Sequence, residues 1–401
     1  MNSMSGPLEG LKVLDIATII AGPSASSLLA DFGADVLKVE LPERGDGARS
    51  FPPFKDGKPL WWKVTNRGKA FMTLDMRKSE GAELLLKMVP QFDVLVENFR
   101  PGTLDRWGLD RATLWAANPQ LTILRVTGFG QDGPYRNRAG FARMFEAMGG
   151  LTHITGDPDG EPMHPGYPVA DNVGGLFGAI GILAAMFHRS RHPDSPGEEI
   201  DLALTEATMK LLEFLPIEYQ QTGAVRGRSG NANQYASPAA VFKTRDNRWV
   251  TLAGSTNALF AANCRAIARA DLIADPRFET NDLRVRHGDE LNAVFAAWFS
   301  EHDCDAALSV FADAGGTVAP IYDIAQIMAD PHVQARQAIC DVPDDDFGAV
   351  KMTNVVPRFA NNPGRITHAG KSLGADTSAV LKDRFGLSDA EIASLRDEGV
   401  V

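Results

Sequence analysis

The sequence predicts an α/β protein: a large domain on a Rossmann-like parallel sheet with helices on both faces, joined to a smaller α+β domain. Three observations lead there. Short apolar runs alternate with helical patterns from residue 11 to residue 127, as in βαβ units. The length, 401 residues, exceeds what one ordinary core serves, so two or more domains are expected. Over 223–238 the alternation gives way to "GAVRGRSGNANQYASP", the longest stretch of Gly, Ser and Asn with few apolar residues.

In order, "LKVLDIA" (11–17) is a buried strand and "AGPSASSLLADFG" a helix, with Pro23 in its first turn and Gly33 as C-terminal cap. "ADVLKVE" (34–40) and "AFMTLDM" (70–76) are strands, "SEGAELLLKM" (79–88) a helix and "DVLVENF" (93–99) a strand. A further helix ends near Asn118, before a strand at 121–127. In parallel sheets ligands sit beyond the carboxyl ends of the strands. The loops after residues 17, 40, 76, 99 and 127 are therefore the expected home of the site. "HRSRHPDSPGEE" (188–199) is a surface connection, and "EIDLALTEA" (199–207) resumes as strand into helix. After residue 238, "AAVFKTRDNRWVTLAGS" reads as two strands around Asp246-Asn247, with helices near 257–270, 287–300 and 304–314. An amphipathic helix at 387–399 is expected to return to the first domain. The division is 1–222 for the large domain, 223–238 for a linker and glycine-rich loop, 239–331 for the small domain and 332–401 for the returning segment.

Composition narrows the function. The net charge of −11 argues against a nucleic-acid partner. The three cysteines, Cys264, Cys304 and Cys340, lie far apart, which fits a reduced, cytoplasmic compartment and no disulfide framework. The first residues show no basic-then-apolar leader pattern, so no signal peptide is expected. The longest apolar run, Gly174 to Phe187, is shorter than a membrane span and reads as a buried helix. The histidines form no H-E-x-x-H, and no metal site is expected. There is no G-x-S-x-G elbow and no phosphate-binding P-loop.

Three features remain. "GFGQDG" (128–133) has dinucleotide spacing after a strand, but "PYRNRAG" follows it instead of a helix, and no acidic residue closes a second strand about 20 positions on. It reads as a glycine-rich turn. Arg77, Arg100, Arg106, Arg136, Arg138 and Arg143 fall in the loop-rich zones; singly each suits a solvated face, together they suit phosphate oxygens. Asp171 stands before an apolar helix and reads as its N-cap, accepting from first-turn N–H groups. That helix carries Gly174, Gly175, Gly178 and Gly181, each costing about 1 kcal/mol against Ala, so close packing, a ligand or another chain must offset them.

The ordered set "PLEGLKVLD", "FGADVLKVE", "NRGKAFMTLDMR", "VENFRPGTLDRWGLD", "TGFGQDGP", "GLTHITGDPDGEP" and "ADNVGGLFGAIGILAAM" resembles the family III CoA-transferases, a group that includes the α-methylacyl-CoA racemases. The resemblance covers nearly the whole chain. It implies transfer of CoA from an acyl-CoA to a carboxylic acid, with Asp171 as nucleophile, aspartyl anhydride and aspartyl-CoA intermediates, coenzyme A as substrate and no metal. It implies CoA contacts at Ile20, Ala21, Leu74, Arg77, Asn98, Phe99, Arg100, Arg106, Arg138 and Phe141. It also implies an interlocked, ring-shaped homodimer and a closing lid at 227–234; from charge and the short apolar run, neither nucleic acid nor membrane is expected as partner. The racemase branch has histidine where this chain has Phe141, which cannot carry a proton, so transferase is preferred over racemase. A CoA-binding protein without transferase activity, with Asp171 only a cap, is the third reading.

Overall fold

The computed structural model describes residues 6–401. Two compact units form. The first takes the chain up to Leu151, then His164–Ile217 and Gln334–Val401; the second takes Thr152–Met163 and Glu218–Val333. Residues 152–163 and 218–222, which the sequence division leaves in the large domain, thus cluster with the second unit.

The first unit is built on six strands: β1 (Lys12–Asp15), β2 (Asp35–Glu40), β3 (Ala70–Thr73), β4 (Val94–Glu97), β5 (Thr122–Thr127) and β6 (Glu199–Ala203). Every neighbouring pair is parallel, in the order β3-β2-β1-β4-β5-β6. Strands β1 to β5 are buried along nearly their whole length because both faces are covered, whereas β6, at the sheet edge, is partly exposed. Alternate residues of β1 show it: Val13 and Leu14 are both fully buried, but in different cores on opposite faces. One core lies under α1 (Ala21–Asp31), the other under α2 (Ser79–Met88) and α3 (Arg111–Ala117). The order reverses between β1 and β4, and in such sheets that switch point opens a crevice at the carboxyl ends of the strands.

Two more helices frame that crevice, α4 (Ala142–Met148) and α5 (Val169–Arg191). The glycines of α5 are accounted for within this chain. A Cβ on Gly174 would stand 2.2 Å from Leu204 Cδ2, one on Gly175 2.7 Å from Ser24 Cβ, and one on Gly178 2.9 Å from Leu124 Cδ2. Their absence lets α5 press against α1, β5 and the helix that follows β6, α6 (Leu204–Leu211). The expectation of a buried helix needs correction, because only the glycine face is covered. Leu176, Ile180, Leu183 and Phe187, on the other face, are exposed. Among the described residues α5 is the one helix long and apolar enough to cross a membrane, by length and composition alone.

The second unit has an antiparallel sheet of β7 (Ala239–Lys243), β8 (Trp249–Ala253) and β9 (Val318–Pro320), with β8 central. Three helices pack on it, α7 (Asn257–Ala266), α8 (Gly288–Ser300) and α9 (Cys304–Asp313). Its core is aromatic: Phe299 stacks on Phe242 at 5.2 Å and on Phe311 at 5.4 Å. The segment 227–234 belongs to this unit, where Gly230 N–H donates to Gly156 O at 2.9 Å. The C-terminal segment adds a hairpin, β10 (Ile339–Asp344) with β11 (Gly348–Thr353), and the helix α10 (Asp389–Asp397) to the first unit. Asp75 N–H donates to Val400 O at 2.7 Å, fixing the chain end beside β3.

Candidate active site

A cavity of about 250 Å3 opens at the switch point. Residues 18–21 after β1, 98–101 after β4 and 126–128 at the end of β5 line it, together with Arg136, Arg138 and Phe141. Asn98 ties the two strand-end loops together: its Oδ1 accepts from Thr18 N–H and its Nδ2 donates to Thr18 O, both at 2.7 Å. Ile19 then takes φ +71°, a conformation that a β-branched residue rarely holds and that costs about 1–3 kcal/mol. Asp46 holds it there by accepting from Ile19 N–H at 2.8 Å. Beneath lies a buried charge network. Lys69 reaches Asp15 at 2.8 Å, Lys38 reaches Asp46 at 3.2 Å and Asp15 at 3.6 Å, and Lys38 also donates to Ala17 O.

Asp171 lies in this cavity but does not cap its helix. The helix begins at Val169 with Pro168 at the N-cap, so Asp171 is the third helical residue. Its carboxylate makes no hydrogen bond with any described residue. The expectation that first-turn N–H groups hold it fully ionised is therefore corrected. Burial, helped by the nearby Glu146 carboxylate, raises its pKa to about 6. It remains mostly ionised at neutral pH and is more basic than an exposed aspartate.

Asp171 also lines a second cavity, of about 310 Å3, on the other side of Ile19, Ile20 and Phe141. Its walls are aromatic: Phe51, Trp61, Phe141 and Tyr167, with Trp61 and Tyr167 stacked at 6.1 Å. Arg143, Glu146 and His164 supply its polar groups. The carboxylate thus faces a cationic cavity on one side and an aromatic one on the other.

Of the residues singled out from sequence, Ile20, Ala21, Asn98, Phe99, Arg100, Arg138 and Phe141 meet Asp171 in the first cavity. Arg100, Arg136 and Arg138 pair with no carboxylate among the described residues, and Arg138 stacks on Tyr135 at 3.6 Å. Phe141 is 68% exposed and lines both cavities. Three residues lie elsewhere. The Leu74 side chain is fully buried in the core under α2. Arg77 grips Asp75 through two nitrogens at 2.7 and 2.8 Å and borders a separate pocket of about 60 Å3. Arg106 donates to Thr103 Oγ1 at 3.0 Å. "GFGQDG" is a turn: Gly130 and Gly133 take φ +86° and +74°, and the next helix starts at Ala142. Asp15, Lys38, Asp46, Lys69, Glu146 and His164 were missed. The available signal was charge inside buried strands, at Asp15 in "KVLD" and Lys38 in "DVLKVE", since such charges require partners.

A doubly wound sheet with a half-buried, unbonded aspartate between a cationic and an aromatic cavity suits a protein that binds an anionic, partly apolar ligand. The chain belongs to CoA-transferase family III, whose model matches residues 8–377. It is 39% identical to the succinyl-CoA–D-citramalate CoA-transferase of Chloroflexus aurantiacus, over 98% of each chain. It is 34% identical to the succinate–glutarate CoA-transferase of Agrobacterium fabrum, over 96% of this chain and 97% of that one. Its fold matches a CaiB/BaiF family protein from Brucella suis at TM-score 0.83 and 34% identity, covering 94% of this chain and 99% of the other. The chain is a CoA-transferase, moving CoA between an acyl thioester and a free carboxylic acid.

Proposed function

We propose that Asp171 is the nucleophile of this transfer and that the switch-point cavity holds CoA. The carrying observation is a single carboxylate, unbonded and facing both cavities. One Asp171 oxygen attacks the donor thioester carbonyl and expels CoA thiolate, leaving a mixed anhydride. The thiolate attacks the aspartyl carbonyl and releases the donor acid, giving an aspartyl-CoA thioester. The acceptor carboxylate attacks that thioester, expelling thiolate again and forming a second anhydride. Thiolate attack on the acceptor's carbonyl then yields the new acyl-CoA and restores the Asp171 carboxylate. An anhydride keeps each acyl group activated, which an ester would not.

Arg100, Arg136 and Arg138 suit CoA phosphates, being exposed guanidiniums free of carboxylates. Ile20, Ala21 and Phe99 offer apolar contact for the pantetheine arm. Arg100→Ala and Arg138→Ala are each expected to raise KM for the acyl-CoA about tenfold with little change in kcat. Steady-state kinetics at fixed acceptor concentration measures this. Leu74, Arg77 and Arg106 find less support as CoA contacts, given their burial and pairing.

Succinyl-CoA and a dicarboxylic acid are the first pair to assay, because the curated relatives act on such acids by name. Incubation with succinyl-CoA, acetyl-CoA or formyl-CoA and a panel of acids, followed by mass spectrometry, identifies the pair. Hydroxylamine should trap the intermediate at Asp171. Absence of any new thioester, together with α-proton exchange, would overturn the reading in favour of a racemase.

The protein acts as a cytoplasmic homodimer, the interlocked ring that the family resemblance implies. The exposed apolar stripe on α5, with Met209, Phe214 and Ile217 further on, supports it as surface that water disfavours. Sedimentation equilibrium is expected to give twice the chain mass.

A further inference from the structure

Glu146 of α4 has a side chain only 1% exposed, a rare place for a carboxylate. Its Oε1 accepts from Ala170 N–H at 3.3 Å. Its Oε2 lies 3.1 Å from His164 Nδ1. The first contact satisfies a first-turn N–H that Pro168, at the N-cap, cannot serve by a side chain. The second ties the same carboxylate to the start of the 164–168 segment. Asp171 is the residue after Ala170, so both contacts bear on its place.

We propose that Glu146 is a positioning residue for the Asp171 nucleophile, capping the first turn of α5 from another helix and holding a negative charge beside the reacting carboxylate. This rests on the nucleophile reading above. A like charge opposes ionisation of Asp171 and makes its carboxylate more basic, adding to the effect of burial. Forming the anhydride removes the Asp171 charge and with it the repulsion, so the pairing disfavours the resting enzyme relative to the acylated one. The other titratable or charged groups lining these cavities with Asp171 are His164 and Arg143 in the aromatic one, and Arg100, Arg136 and Arg138 in the cationic one. Burial first, and then the Glu146 carboxylate, raise the pKa of Asp171.

The test compares Glu146→Gln and Glu146→Ala with the intact enzyme across pH 4.5–8, following kcat and kcat/KM. In the intact enzyme kcat/KM is expected to fall as pH drops through about 6, where Asp171 takes up a proton. Glu146→Gln keeps an amide oxygen for Ala170 N–H but loses the charge. Its acid limb is expected to shift to lower pH by about half a unit or more, and its kcat to fall roughly three- to tenfold. Glu146→Ala loses the cap as well and is expected to lower Tm in addition. An acid limb and kcat unchanged in Glu146→Gln would overturn the proposal. So would a fall in Tm in both variants with the limb unmoved, which marks a purely structural role. Retained activity in Asp171→Asn would instead overturn the nucleophile reading on which it rests.

Discussion

Asp171→Asn is expected to lower the transfer rate by roughly 10^4-fold or more, with fold and CoA binding retained. The amide has the shape of the carboxylate but no anionic oxygen to attack a thioester. The substitution breaks no contact, because the Asp171 carboxylate accepts no hydrogen bond from a described residue. It also removes a charge whose ionisation burial and Glu146 already disfavour. The variant should therefore be as stable as the intact protein or slightly more so, as is common where a site holds a charge for chemistry and not for folding. Thermal unfolding, titration with CoA and the transfer assay together check the three parts. Full transfer activity in the variant would refute Asp171 as nucleophile.

Asp15→Ala should be among the most damaging single changes, costing about 3–5 kcal/mol of stability. Asp15, Lys38 and Lys69 have no solvent exposure. Burial pushes the Asp15 carboxyl up, but Lys38 and Lys69 outweigh it and hold it below its usual range. Burial and the neighbouring Lys38 push Lys69 down to about 8 even with Asp15 present. Without Asp15, two ammonium groups would share the interior with Asp46 as their nearest counter-charge. Lys38 also bonds Ala17 O, and Asp46 holds Ile19, so the loop bordering both cavities would lose its support. Urea unfolding measures the stability loss. Binding of CoA should weaken in parallel, which distinguishes damage to the loop from general softening. A loss below about 1 kcal/mol, the size of an exposed pair, would show that the network is dispensable.

Much of the first unit was legible in the chain because local rules and tertiary demands agree there. Apolar runs such as "LTILRVT" can be buried on both faces only as parallel strands under helices, and β5 lies within that run. Gly33, at φ +96°, ends α1 where a left-handed residue is required. The hairpin β10–β11 went unread, since Pro343 inside a strand speaks against one; pairing along its whole length decides otherwise. The helix Leu60–Thr65, which brings Trp61 to the aromatic cavity, was also missed, being too short to show a period.

By itself the sequence determined the alternating fold, the family and which aspartate to suspect, because periodicity and ordered motifs are local properties of the chain. Only the tertiary structure decided what that aspartate experiences. Its place three residues into the helix follows from where α5 starts. Its raised basicity comes from burial and from Glu146, 25 positions back in the chain. The strand order that sets the loops after β1 and β4 side by side, and the buried Asp46 that holds Ile19 and is itself paired with Lys38, likewise depend on distance in space. Electrostatic and hydrogen-bonding forces act over ångströms, and spacing along a chain does not report those distances until it folds.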